Sequence, residues 1–333
     1  MSLPVSEIVR DETRPGRSFL RPGAVTRKPS RQPSQKSGMT MGASKRKSFL
    51  ILLAPAVLIY AAIIIFPIIF NTGLSLTKWS GFGEPKWVGF GQYAKILTDP
   101  VFLHGLRNNF LVVGVSVFGQ IPVGFVLAYI IYRRMVETER FFEVMIFLPI
   151  TISPVVVAIL WNQIFSTSGV FTQLVRVIRD DPRYVFSIFE NKQFAIVPIL
   201  FVILWMYTGL YMVIFIANLQ KIDPEVLESA KMDGASEWQI LFRIIIPLMV
   251  NIIFTTSVFA ITGSLKSFDL IFVFTGGGPA HYTEVVSIYM YLNTFRYYNY
   301  GLGAAVSMII IVLSVGLIYM ALGVYRYFAS RYE

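Results

Sequence analysis

The chain has 333 residues, 55% hydrophobic and 14% charged, against about 25% charged in soluble domains. That balance excludes a water-soluble globular protein and marks an integral membrane protein. Cysteine is absent, which excludes disulfides, thiolate zinc sites and iron–sulfur clusters.

Residues 1–48 carry eleven of the lysines and arginines behind the net charge of +10, with many Ser, Pro and Gly. Such a segment cannot bury enough apolar surface to fold, so it reads as a disordered basic tail. No apolar core follows its early basic residues until Phe49, unlike an ordinary cleavable signal peptide. Two roles fit it: attraction to anionic cytoplasmic lipids, strongest at Lys45-Arg46-Lys47, or setting topology alone.

Six apolar runs follow, near 49–70, 110–132, 144–165, 194–216, 244–265 and 302–325. Each approaches the roughly 20 residues that cross a bilayer as a helix. With no water to satisfy the backbone, each is expected to be helical, giving an all-α integral membrane fold. Placing both termini inside puts 19 of the 29 lysines and arginines on the cytoplasmic side. The inner loops are shorter than the outer ones, so their positive charge is also denser, as the positive-inside rule requires.

At the outer end of the fifth run, Lys266 and Asp269 stand at i and i+3. Either they pair against a protein interior or wet cavity, or both lie among outer headgroups. Elsewhere the spans hold no ionisable residue except tyrosines. His104 and His281 fall in separate loops and read as solvated side chains, with no metal site between them. There is no G-x-x-x-x-G-K-[ST] phosphate loop, and Thr275-Gly276-Gly277-Gly278-Pro279 lacks a following lysine. The chain is therefore read as a transport subunit, not an enzyme, with no cofactor of its own and its energy drawn from a partner. The alternatives are an ion-coupled secondary carrier using Lys266 and Asp269, or a membrane scaffold without transport.

The cytoplasmic segment 217–243 reads as helix, break, helix. Asp223 caps the first helix with Pro224 at its first position, and Gly234 permits a turn. Ser236-Glu237-Trp238-Gln239 has the form of a capping box. Glu228, Ala230, Asp233, Gly234, Ala235 and Ser236, followed by Ile244 and Pro247, resemble the E-A-A-x-x-x-G … I-x-L-P signature of ABC importer permeases. Ser229 and Ile246 depart from it by small changes in volume. In that family the loop docks into a cleft on an ATPase subunit.

The resemblance runs from about residue 49 to 328. Trp87-Val88-Gly89-Phe90-Gly91-Gln92-Tyr93, Asp99-Pro100-Val101-Phe102 and Asn108-Asn109 are similar to outer-loop patterns of carbohydrate-uptake permeases. Phe268-Asp269-Leu270-Ile271 and the run 275–279 match that class as well. It implies a permease of the bacterial inner membrane, paired with a second six-span permease. The other expected partners are two copies of an ABC ATPase that binds ATP and magnesium, an extracytoplasmic solute-binding protein and membrane lipids. No nucleic acid is expected. The implied cargo is a sugar or oligosaccharide, and glycerol-phosphate importers share much of the pattern.

For the substrate path, Tyr207, Thr208 and Tyr211 lie about one turn apart on the fourth span, with faces and hydroxyls suited to a sugar. The resemblance also lands contacts on Thr208 and Tyr211, and on Ser264 and Ser267 before the Phe268 run. Alternatively these residues pack between helices and bond neighbouring backbone. Asn162, Gln163 and Asn251 read as interhelical hydrogen-bonding groups. Gly114, Gly119 and Gly124 are assigned to packing.

Overall fold

Prolines set most of the helix boundaries. The computed structural model describes residues 43–133, 138–181, 183 and 187–330, and the chain divides into two compact units, 1–57 and 58–333. Residues 1–42 of the expected tail lie outside the described residues, whereas 43–48 already belong to helix α1 (Ala43–Tyr60).

Further along come α2 (Phe66–Ser75), the two-residue antiparallel pair β1 (Thr77–Lys78) and β2 (Lys86–Trp87), α3 (Gly91–Thr98) and α4 (Pro100–Val115). The tiny ladder is an addition to an otherwise helical fold. Then follow α5 (Ile121–Tyr132), α6 (Glu139–Thr151), α7 (Pro154–Phe165), α8 (Val170–Arg179) and α9 (Val197–Leu219). The loop 217–243 forms α10 (Pro224–Met232) and α11 (Glu237–Ile240), and α12 (Ile246–Leu248) leads into α13 (Val250–Leu265). Last are α14 (Asp269–Thr275), α15 (Val286–Tyr291) and α16 (Tyr300–Ala329).

Three π-helical segments, Ala61–Ile65, Ser116–Gln120 and Leu241–Ile245, each end two residues before a proline: Pro67, Pro122 and Pro247. A proline ring collides with the carbonyl four residues back and lacks an N–H, so the preceding turn widens. The fourth π segment, Leu292–Arg296, has no proline after it, and nothing in the structure explains it.

Among the described residues, six helical stretches are long and apolar enough to cross a membrane: Leu52–Ser75, Pro100–Tyr132, Pro154–Arg179, Val197–Leu219, Val250–Thr275 and Tyr300–Phe328. The chain is thus an all-α integral membrane protein. Its boundaries differ from the expected ones most in the second, third and fifth stretches, the fifth running to Thr275, ten residues past 265, across a break in the helix between Leu265 and Asp269. The second stretch starts ten residues earlier than position 110, because its polar first turns are satisfied by other parts of the protein. The third expected span, 144–165, is divided at Ile152 and Ser153, both extended, just ahead of Pro154, where proline disfavours the helical conformation. Length and apolarity alone merge α7 with α8, but Ser166 and Gly169 are extended and turn the chain between them.

Three buried clusters stack through the second unit. Nearest the α10–α11 loop, Met212, Phe215 and Leu219 of α9 meet Leu227, Ile240, Ile245 and Met249. Farther away, Ile199, Val202 and Met206 of α9 pack with Leu270, Ile271 and Phe274 of α14. The third joins Ile96 and Phe102 to Val286, Tyr289, Leu302 and Val306.

Candidate functional site

The knuckle formed by α10 and α11 is fixed by local chemistry. Asp223 Oδ1 accepts from the Glu225 N–H at 3.0 Å, so the first helix is capped where the sequence indicates. It ends in a Schellman turn: Ala235 N–H donates to the Ala230 carbonyl and Gly234 N–H to that of Lys231, both at 3.0 Å. Gly234 takes φ +79°, the left-handed conformation such a turn requires. Ser236 and Gln239 close a reciprocal capping box, at 3.3 Å and 2.7 Å.

Of the residues singled out there, Glu228, Asp233, Gly234 and Ser236 are exposed, while Ala230 and Ala235 pack half-buried against the core. Pro247 is also half-buried and stands beyond the widened turn at 241–245. Sequence reasoning overlooked Met232 and Phe242. Both are exposed, as is Trp238, which stacks on Phe242 at 5.9 Å. A large apolar side chain with a free face was their available signal.

The knuckle is also tied to the second span. Arg133 at the end of α5 forms an ion pair with Glu237, Tyr129 donates to Glu237 at 3.3 Å, and Lys231 stands 3.5 Å away. Burial alone would raise the Glu237 carboxyl, but the Arg133 and Lys231 charges hold it below its ordinary range. Beside this node is a cleft of about 600 Å³ lined by Arg133, Arg140, Glu143, Glu228 and Lys231, among others.

A second site lies between α9 and α13, the helices flanking the knuckle in the chain. Tyr207, Tyr211, Ser264 and Ser267 line one cavity of about 230 Å³. Thr208 does not join them: it is buried, and its hydroxyl bonds the Leu204 carbonyl at 2.5 Å. Ser116 and Gln120 do line the cavity. The Ser264 hydroxyl donates to Ser116 Oγ at 2.9 Å, and Gln120 donates to the Ile203 carbonyl at 2.8 Å. Sequence reasoning missed both, although two polar side chains at i and i+4 in an apolar run were visible. Lys266 and Asp269 sit exposed at the cavity edge, and they do not pair with each other.

Away from the knuckle, a buried polar cluster supports this cavity. Asn109 donates to the Ser264 carbonyl at 3.2 Å and accepts from the Val286 N–H at 2.7 Å. Asn108 donates to the carbonyls of Tyr282 and Glu284 at 2.9 and 2.8 Å. Of the two histidines, His104 departs from the expectation of a solvated loop residue, whereas His281 stays exposed in its loop. His104, on α4, lies 3.1 Å from the Tyr282 carbonyl, and His281 pairs with the nearly inaccessible Glu284. Burial pushes the Glu284 carboxyl above its usual range, against the lowering effect of His281. Asn162 donates to the Phe274 carbonyl at 2.5 Å and Tyr325 to Asn251, both between helices; Gln163 is exposed.

Residues 120–333 match the family described as binding-protein-dependent transport system inner membrane component. The chain is 30% identical to the probable ABC transporter permease protein YurN of Bacillus subtilis, over 82% of this chain and 94% of that one. It is 31% identical to the lactose transport system permease protein LacF of Rhizobium radiobacter, over 84% and 92% of the two chains. The glucose import system permease protein GlcT of Saccharolobus solfataricus is 28% identical, over 86% and 99%. The fold is similar to that in the crystal structure of a bacterial ABC transporter involved in import of the acidic polysaccharide alginate. There the TM-score is 0.72 at 23% identity, covering 85% of this chain and 96% of that one.

Proposed function

The chain belongs to the family of inner membrane components of binding-protein-dependent transport systems, and from that membership we propose that it is the permease subunit of an ATP-driven importer of a sugar or oligosaccharide. The observation that carries the reading is covalent continuity between the two sites. The loop holding the knuckle joins α9, which bears Tyr207 and Tyr211, to α13, which bears Ser264. A force on the knuckle therefore reaches both walls of the cavity through packed helix, since Leu227 and Ile240 are buried against Phe215 and Leu219.

In this reading both termini are cytoplasmic, and the chain pairs with a second six-span permease and two ATPase subunits that bind ATP and magnesium. A solute-binding protein delivers the sugar from the other side. Glu228, Ala230, Asp233, Gly234, Ala235, Ser236 and Pro247 shape the docking knuckle, with Met232, Trp238 and Phe242 as its apolar contact. ATPase closure shifts a two-state equilibrium of the cavity, and the loaded binding protein biases the same equilibrium. Tyr207 and Tyr211 offer ring faces to the apolar side of a sugar, while Ser116, Gln120, Ser264 and Ser267 offer hydroxyls and an amide to its polar edge. Thr208 belongs to the helix backbone pairing instead, and its role is to hold α9. The lactose and glucose import relatives favour a neutral sugar over glycerol phosphate.

The test is ATP-dependent uptake into proteoliposomes of the complete transporter. Tyr211→Ala is expected to lower sugar uptake with assembly intact. Normal uptake kinetics would remove Tyr211 from the path.

A further inference from the structure

Helix α8 turns an apolar face away from the rest of the chain. Val170, Leu174, Val177 and Ile178 follow a helical spacing, and their exposures are 68%, 54%, 78% and 74%. The other side of the helix is fastened. Thr172 is fully buried with its hydroxyl on the Ser166 carbonyl at 2.8 Å, and Gln173 donates to the Ser168 carbonyl at 3.2 Å. The Phe171 ring packs on Phe165 with centroids 5.4 Å apart. The outward direction of the apolar face is thus set by the fold.

Position and charge say what covers it. The start of α6 borders the cleft beside the knuckle through Glu139, Arg140 and Glu143. Together α6 and α7 hold 25 helical residues, ~38 Å at ~1.5 Å per residue, enough to cross a hydrocarbon core of ~30 Å. The far end of α7 therefore reaches the bilayer surface opposite the knuckle, and α8 starts five residues beyond Phe165. Val155, Val156, Ile159 and Leu160 of α7 are exposed as a lipid-facing surface would be, and the α8 face continues it. With ten residues, α8 is too short to span. It carries Arg176 and Arg179 in its last turn, with Asp180 as its cap and Asp181 next to it.

We propose that α8 lies along the leaflet opposite the knuckle, its apolar face among the acyl chains and its charged end, Arg176 to Asp181, level with the phospholipid headgroups. High amphipathicity and short length are the properties of such interfacial helices. The placement has a consequence for the cavity. Phe171 contacts Phe165, and Phe165 stands 6.5 Å from Phe274 of α14, whose Asp269 and Leu270 line the cavity. The depth of α8 in the leaflet thereby fixes one wall of the transport site.

Because the chain has no native cysteine, Val177→Cys, Ile178→Cys and Gln173→Cys can each carry a nitroxide in the assembled transporter. The reading is the collision rate with oxygen, which concentrates in lipid, against a water-soluble nickel chelate, in nanodiscs of phosphatidylethanolamine and phosphatidylglycerol. Oxygen is expected to dominate at 177 and 178 and the chelate at 173. Chelate access at 177 equal to that at 173 would place the face in water. Exclusion of both reagents would mean that a protein covers it. Either result overturns the proposal. Should Val177→Cys block assembly, quenching of Leu174→Trp fluorescence by brominated lipid gives the same reading.

Discussion

Gly234 isolates the conformation of the knuckle from its contacts. A Cβ built on this residue meets nothing within 4 Å, so a small side chain clashes with no part of the chain. Its φ of +79° is the obstacle. An L-residue in the left-handed region costs roughly 1–2 kcal/mol, which is a factor of about 5–30 in a two-state population. Gly234→Ala is therefore expected to reduce the fraction of loops holding the Schellman turn and to raise the apparent Kd for the ATPase subunits by up to that factor. Asparagine tolerates the left-handed region better and valine worse. The expected order of affinity is Gly, Asn, Ala, Val, with the midpoint of thermal unfolding nearly unchanged because the position is exposed. Binding of purified ATPase to the permease pair in nanodiscs measures it. Equal affinity for Gly and Ala would show that the turn does not limit docking. If Asn were as poor as Ala, the position would act through contact with the partner instead of through its backbone.

Other expectations concern the buried polar cluster. Asn109→Ala strands the buried Val286 N–H, at about 1–3 kcal/mol for an unsatisfied buried group. A clear fall in the thermal midpoint of the solubilised protein is expected, and an unchanged midpoint would contradict the pairing. Glu284 has its folded-state pKa raised, chiefly by burial. Its proton is bound more tightly in the folded state, so the stabilisation is present below the ordinary carboxylate range and is lost as pH rises through the raised value. Glu284→Gln, a neutral isostere, is expected to flatten that part of the stability profile; parallel profiles for the two proteins would refute it.

Local features were the legible ones. The Asp223 cap, the Gly234 turn and the Ser236–Gln239 box involve neighbours within a few residues, and each forms in the structure. The six apolar runs and the all-α class followed from composition and bilayer thickness. What escaped depended on distant partners. Asn108 and Asn109 depress the apolarity of the second span's first turns, yet their amides are satisfied by groups 155 to 177 residues away. No spacing rule announces such a pairing. The break before Pro154 was a different failure, because proline is often tolerated within membrane helices and its letter alone does not say which outcome holds. Thr208 looked like a ligand by its place between Tyr207 and Tyr211. A hydroxyl four residues after a free-facing carbonyl can bond that carbonyl instead, and here it does. Ser116 and Gln120 reach the cavity from a π segment whose altered phase no regular helical wheel reproduces.

The most direct test of the coupling claim is ATP hydrolysis by the complete transporter in nanodiscs, with and without sugar-loaded binding protein. The expected result is stimulation by one loaded sugar, reduced in Gly234→Val. Failure of an ATPase to associate with the permease pair, or hydrolysis indifferent to both the loaded sugar and the Gly234 substitution, would contradict it.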